Sequence, residues 1–256
     1  MQKSFCFFLF LFIAGCASNE SPSSGPGIEQ AWTKAHVYLP NSFAPKRPRD
    51  VVLDKPLPVV VYLHGCDGID PAHDSAWAKF ISSLGYAVVM PDSMARPYRI
   101  PNCDGRLKKT TDKFPLALDY RAHEIDLAWQ KLQNQDWVLK NKIFLMGHSE
   151  GGVAVALNTN DRFNGLIISG WTCTSRSYPY YNGIKASKNT PVLAISNKND
   201  IWCQGTDLKG ECRDHSANRV DFTQIDLKNV GSEHSTYQFS SARMAVSSFL
   251  KRLTVD

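Results

Sequence analysis

Along most of the chain, apolar residues come in short unbroken runs rather than in alternation. Residues 58–63 (PVVVYL), 86–90 (YAVVM), 143–146 (IFLM), 166–168 (LII) and 192–195 (VLAI) share this pattern. Short, β-branched runs of this kind mark strands buried on both faces of a parallel sheet. Residues 220–227 (VDFTQIDL) alternate apolar with polar positions instead, which predicts a strand at a sheet edge. Between the runs lie helical stretches. Within 116–134, Ile125, Ala128, Trp129 and Leu132 follow the i, i+3, i+4, i+7 spacing of an amphipathic helix. Residues 76–84 and 241–253 also read as helices. Alternation of buried strands with helices predicts an α/β domain: a mainly parallel central sheet with helices on both faces.

Composition and charge narrow the class further. Of 256 residues, 43% are apolar, 21% charged and 11% aromatic, which excludes a disordered, collagen-like or coiled-coil chain. The net charge of +5 is dispersed, with no Lys/Arg run longer than two residues, so no nucleic-acid partner is expected.

The N-terminus reads as an address. One early cation, Lys3, precedes an apolar stretch at 5–14. That stretch falls short of the ~20 residues of a membrane span and suits the h-region of a signal peptide, placed at 1–15. Ile13-Ala14-Gly15-Cys16 resembles the bacterial lipobox, in which the cysteine is lipidated and becomes the new N-terminus. An ordinary signal peptide with an incidental cysteine is the alternative. Residues 16–29 are polar and rich in Gly, Pro and Ser, as in a flexible tether. Residues 30–256 then form a single domain. The expected location is outside the cytoplasm, anchored to a lipid bilayer through Cys16. Ala17 in place of Asp after the cysteine resembles an outer-membrane sorting signal, facing the periplasm or the cell surface.

Beyond Cys6 and Cys16 five cysteines remain: Cys66, Cys103, Cys173, Cys203 and Cys212. They show no CxxC spacing and no Cys/His cluster, so no metal site is expected. An oxidising compartment permits two disulfides and one leftover thiol; five buried thiols are the alternative.

The chemistry concentrates at Gly147-His148-Ser149-Glu150-Gly151-Gly152, a G-x-S-x-G pattern. It directly follows the predicted strand 143–146 and opens the apolar stretch 153–157, the strand–turn–helix context of a nucleophile elbow. A strained tight turn there lifts the hydroxyl of Ser149 above the sheet, and glycine at the flanking positions avoids clashes with strand and helix. A serine hydroxyl needs a base, itself oriented by a carboxylate, and in such folds the chain order is Ser, acid, His. Asp200 follows the predicted strand 192–195 and His234 precedes the last helix, making them the candidate acid and base. His215 is the rival base, Asp207 and Asp214 are rival acids, and a helix N-cap is the alternative role for Asp200.

Leu63-His64-Gly65-Cys66-Asp67-Gly68, after the first buried run, supplies the other half of the site. The backbone N–H groups of Cys66 and Glu150 are the candidate oxyanion donors. Gly65 and Gly68 are expected to allow close backbone approach, and His64 to hold the loop rather than act as a base.

Together with Gly85-Tyr-Ala-Val-Val-Met-Pro-Asp-Ser93, Asn199-Asp-Ile-Trp202 and Glu233-His234, these motifs resemble the α/β-hydrolase superfamily, in particular its dienelactone-hydrolase-like branch, over about residues 35–256. The chain departs from the branch in two places. The nucleophile is Ser149 rather than Cys, and the usual Pro after the acid loop is replaced by Cys203-Gln-Gly and a longer insert. The resemblance implies an acyl-enzyme hydrolase of a carboxylic ester or similar acyl bond in a small molecule, with no cofactor. It also implies pairing of Cys173 with Cys212 and of Cys66 with Cys103. A prolyl-oligopeptidase-like peptidase and a non-catalytic, ligand-binding surface lipoprotein on the same fold are the alternatives. Trp171, Tyr178, Tyr180 and Tyr181 lie where such a fold builds a pocket wall, with ordinary surface packing as the alternative. Arg96 and Arg99 read as solvated charges, or else as binders of a substrate carboxylate.

Overall fold

The structure, a computed structural model, describes residues 27–255 apart from 98, 100, 177, 204–207 and 229–230. The signal stretch, Cys16, nearly all of the tether and Asp207 lie outside the described residues. In chain order the elements are α1 (Ile28–Thr33), β1 (His36–Tyr38), β2 (Leu57–Leu63), α2 (Asp74–Ser83), β3 (Ala87–Met90), β4 (Cys103–Asp104), β5 (Lys109–Thr110), α3 (Phe114–Gln133), β6 (Val138–His148), α4 (Glu150–Leu157), β7 (Leu166–Ser169), β8 (Val192–Asn197), β9 (Phe222–Leu227) and α5 (Ser240–Thr254). Seven strands form one sheet in the order β1-β3-β2-β6-β7-β8-β9, parallel throughout except for β1 on β3; β4 and β5 make a separate hairpin.

The unbroken apolar runs are explained by two cores, one on each face of the sheet. Val59, Val61 and Leu63 of β2, Ile143 and Leu145 of β6, and Leu166 and Ile168 of β7 point into the first core, with Trp32, Ile125, Leu132 and Val153 from α1, α3 and α4. The intervening Val60, Tyr62, Phe144, Met146 and Ile167 point into the second, with Trp77 and Ile81 of α2 and Val246, Phe249 and Leu250 of α5. Side chains alternate across a strand, so burying both faces requires every position to be apolar. β9 closes the far edge, as the pattern predicts, but its burial does not alternate: Phe222 packs on the first core and Ile225 and Leu227 on the second.

Four elements are not in the sequence reading. β1 has only three residues and pairs antiparallel at the other edge. The β4–β5 hairpin has two residues per strand. α1 begins at Ile28, inside the stretch read as tether, because Ile28, Ala31 and Trp32 are buried, the helix packing on α3 and on the turn at Ser93–Ala95. Cys212–His215 form a short 3-10 turn.

Two disulfides are formed, Cys66–Cys103 and Cys173–Cys212, and Cys203 is left as a buried thiol. Burial, then the nearby Asp200, pushes that thiol's pKa up to about 12, so it carries no thiolate chemistry. The Cys173–Cys212 bond closes a loop of 39 residues. Chain entropy assigns such a crosslink about 3–4 kcal/mol. The double variant Cys173→Ser/Cys212→Ser is expected to lose stability on that scale in urea unfolding of the full chain. A midpoint equal to wild type would mean that the crosslink adds nothing.

Candidate active site

The sheet register brings the motifs together. Gly147 at the end of β6 pairs with Leu63 of β2 on one side and Ile168 of β7 on the other, so the elbow and the His64–Gly68 loop emerge side by side. Ser149 takes φ 56° and ψ −119°, a left-handed conformation that a non-glycine residue adopts only at a cost. It is held there by its own N–H donating to Ser169 O at 2.9 Å and its carbonyl accepting from Val153 N at 2.9 Å. The flanking glycines are sterically required. A Cβ on Gly147 would lie 2.2 Å from Gly151 O, and one on Gly151 would lie 2.1 Å from Leu63 O. Gly65 differs from expectation: a Cβ there meets Ser149 Cβ at an ordinary 3.7 Å, so close approach does not demand glycine. Gly68 does need it, for its φ of 96°.

Asp200 and His234 form the second cluster. Asp200 is buried; its Oδ2 lies 2.6 Å from His234 Nδ1, and its Oδ1 accepts from Trp202 N–H at 2.9 Å. The two loops are tied to each other by Asn197, whose amide donates to Gly231 O and Glu233 O at 2.9 and 2.8 Å, and by Ile201 N–H on Ser232 O at 3.1 Å. His234 Nε2 is buried and has no hydrogen-bond partner among the described residues. It belongs to the same cavity, of about 420 Å³, as Ser149, Cys66 and Gly65. The rivals sit elsewhere. His215 Nε2 meets Thr174 Oγ1 at 3.2 Å, and Asp214 is exposed on the short turn that bears it.

A buried ionic network underlies this surface, and sequence reasoning missed it. Arg121 of α3 is fully buried. Its Nε donates to Glu150 Oε1 at 2.7 Å, while Nη2 donates to the carbonyls of His64 and Gly65 at 2.9 and 3.2 Å. One guanidinium therefore ties the residue after Ser149 to the residues before Cys66. Arg99 Nη2 reaches the same Glu150 oxygen at 2.7 Å, and Arg96 and Ser93 reach Glu124 Oε1 at 3.2 and 2.8 Å. Arg96 and Arg99 are thus buried structural cations, neither solvated nor open to a substrate. The signal was present in the helix pattern: Arg121 lies three residues after Leu118 and four before Ile125, on the apolar face. His64 holds the loop: Ser93 N–H donates to its Nε2 at 3.1 Å, and its Nδ1 meets Gly65 O at 2.7 Å. Burial and then the Arg121 guanidinium hold its pKa well below the usual imidazole range, so it stays neutral.

A stack of three imidazoles backs the site. The rings of His73 and His148 are 3.8 Å apart, and those of His148 and His234 4.6 Å. His73 Nδ1 lies 3.0 Å from Asp74 Oδ1, so a carboxylate stands at each end of the stack, Asp74 at one and Asp200 at the other. Burial, then its His73 and His234 neighbours, lower the pKa of His148 well below 6.5. Cys66, Asp67 and Cys103 also converge, but both sulfurs are spent in the disulfide and offer no thiolate to a metal.

No family model matches the chain, and no curated protein does. Solved structures share its fold. Est1E from Butyrivibrio proteoclasticus is 13% identical, with 87% of this chain and 94% of that one covered at a TM-score of 0.57. A protein assigned as a dienelactone hydrolase from Klebsiella pneumoniae is 12% identical, with coverage of 87% and 92% and a TM-score of 0.60. An S-formylglutathione hydrolase from Agrobacterium tumefaciens is 16% identical, with coverage of 86% and 89% and a TM-score of 0.58. The architecture is the α/β-hydrolase fold, as the motifs imply.

The two neutral buried histidines make acid stability testable. Below pH 6.5 the unfolded chain protonates both His64 and His148 and the folded chain does not, so stability falls as pH falls. Each contributes up to ~1.4 kcal/mol per pH unit. Urea midpoints from pH 7 to 5 should drop less steeply for His148→Phe than for wild type; parallel slopes would contradict a neutral His148.

Proposed function

We propose that this chain is a serine hydrolase that cleaves a carboxylic ester or related acyl bond of a small molecule. The observation that carries the reading is the Asp200–His234 pair at 2.6 Å opening into the same cavity as Ser149 on its strained elbow. Ser149 Oγ attacks the acyl carbon as His234 Nε2 takes its proton. The oxyanion is met by the N–H groups of Cys66 and Glu150. His234 then returns the proton to the leaving alcohol, giving an acyl-enzyme. Water, deprotonated by His234, attacks that ester, releasing the acid and restoring Ser149. Asp200 orients the imidazole and stabilises its cationic form. The Arg121–Glu150 tie supports the two donors from below, so little reorganisation is needed as charge develops. Esterases among the structural neighbours support this reading, and one of them, Est1E, has been solved with ferulic acid bound.

The lipid anchor belongs to the same proposal: lipidated at Cys16, the enzyme sits on a membrane from outside the cytoplasm. It rests on Ile13-Ala14-Gly15-Cys16 and the polar tether that follows. Among the described residues no helix is long and apolar enough to cross a bilayer. A lipobox cysteine carries more than one acyl chain, which is what stable anchoring requires.

Ser149→Ala should abolish labelling by a fluorophosphonate and lower kcat for short acyl esters at least a thousandfold, with unfolding unchanged. Turnover retained in that variant would remove Ser149 as nucleophile. Fractionation of wild type against Cys16→Ser, with intact mass of the mature N-terminus, tests the anchor. The wild type is expected in the membrane with a lipidated Cys16 and the variant in the soluble fraction; two soluble proteins with unmodified N-termini would overturn it.

A further inference from the structure

A second cavity, of about 290 Å³, adjoins the first, and Lys108 and Trp202 line both. The Trp202 ring lies 5.6 Å from that of His234, so the boundary between the cavities stands beside the proposed base. Beyond it the wall is aromatic: Phe114, Trp171, Tyr178 and Tyr181. Phe114 and Tyr178 both pack on Tyr181, with ring centroids 6.1 and 5.6 Å away. Of the four pocket-wall aromatics read from the sequence, Tyr180 alone is outside the lining; it is 81% exposed.

Three features define what this cavity accepts. Its volume sits at the lower end of the ~300–1,000 Å³ of ligand pockets, enough for one ring and its substituents. Among the described residues its lining charges are the cations Lys108 and Lys109, with no carboxylate, and neither lysine has an ion-pair partner there. Aromatic walls alone would also suit a cation, but two lysines repel one and attract an anion. Finally, the indole N–H of Trp171, a 95%-buried residue of the lining, has no acceptor among the described residues, leaving a donor for a ligand oxygen.

Both disulfides brace this cavity. Cys66–Cys103 joins the oxyanion loop to the hairpin that carries Lys108 and Lys109. Cys173–Cys212 closes the segment after Trp171, and Trp171 O lies 3.5 Å from Cys212 Sγ. A wall covalently fixed on two sides holds its rings in place before the ligand arrives, which lowers the ordering cost of binding.

We propose that the second cavity is the subsite for an aromatic ring bearing an anionic oxygen substituent, a carboxylate above all, on one half of the ester cleaved at Ser149. The ring lies against Tyr181 and Trp171, the anion meets Lys108 and Lys109, and the scissile carbonyl reaches Ser149 past Trp202. The assignment of this ring to an ester rests on the hydrolase reading, whereas the site itself does not.

The test therefore separates binding from turnover. Full-length protein carrying Ser149→Ala, in detergent, is titrated with 4-methylbenzoate by tryptophan fluorescence. Cyclohexanecarboxylate serves as an anion without the aromatic ring and 4-methylbenzamide as a ring without the charge. 4-Methylbenzoate should bind at least tenfold tighter than either. Lys108→Gln should erase its advantage over the amide, and Tyr181→Ala its advantage over cyclohexanecarboxylate. In the catalytic protein, kcat/KM for monomethyl terephthalate over methyl benzoate, and for 4-acetoxybenzoate over phenyl acetate, shows which half of the ester carries the ring. At least one ratio should exceed ten and fall at least fivefold in Lys108→Gln. Equal binding of the three probes, or a preference untouched by Lys108→Gln, overturns the subsite whatever Ser149 does. Selective binding without fluorophosphonate labelling or any ester turnover overturns the hydrolase reading and leaves the anionic ring site standing.

Discussion

The contact on which the site depends is the buried guanidinium of Arg121. It donates to the Glu150 carboxylate next to Ser149 and to the carbonyls that precede Cys66, and so fixes the distance between two loops that come from different strands. Such a tie is not a large source of stability. Burying ions costs several kcal/mol each in desolvation, and well-packed apolar substitutes are often as stable. What it supplies is position. Removing one partner would leave a buried unpaired charge at a cost of about 3–5 kcal/mol, so the network holds together as a unit. Glu124, Arg96, Arg99 and Ser93 extend it, which leaves little freedom for Glu150 to move.

The surrounding architecture meets the same requirement by other means. The elbow is constrained sterically, since a Cβ added to Gly147 or Gly151 would lie 2.2 or 2.1 Å from a backbone oxygen. The Asp200 and His234 loops are zipped by Asn197, and the imidazole of His234 rests against a neutral His148. The disulfides act on the loops that the sheet cannot hold, joining the Cys66 loop to the β4–β5 hairpin and closing the segment after Trp171. Order is thus concentrated at the carboxyl ends of the strands, where parallel sheets of this kind place their ligands.

Much of this was legible in one dimension. Strands with both faces buried must be apolar at every position, so β2, β3, β6, β7 and β8 are visible as runs, and β9 as an alternating edge. The elbow is legible because its strand, turn and helix are consecutive in the chain, although the clash that requires Gly151 is with Leu63 O of a neighbouring strand. The β1 edge strand and the β4–β5 hairpin are too short to have a period, and α1 is held by burial of Ile28 and Trp32 rather than by any local signal. Arg96 and Arg99 show the limit most clearly. Their charge suggested solvent or substrate, and only the approach of Glu124 and Glu150 makes them buried structural residues.

By itself the sequence determined the fold class and the strand–turn–helix context of Ser149, and it named Asp200 and His234 as the candidate acid and base, because periodicity and chain order are read along the chain. The tertiary structure alone decided that Arg121 joins the two halves of the site, that three imidazoles stack, and that aromatic residues separated by tens of positions wall a second cavity with two lysines. Those are distances between residues far apart in the chain, set by sheet register and disulfides, and no local pattern encodes them.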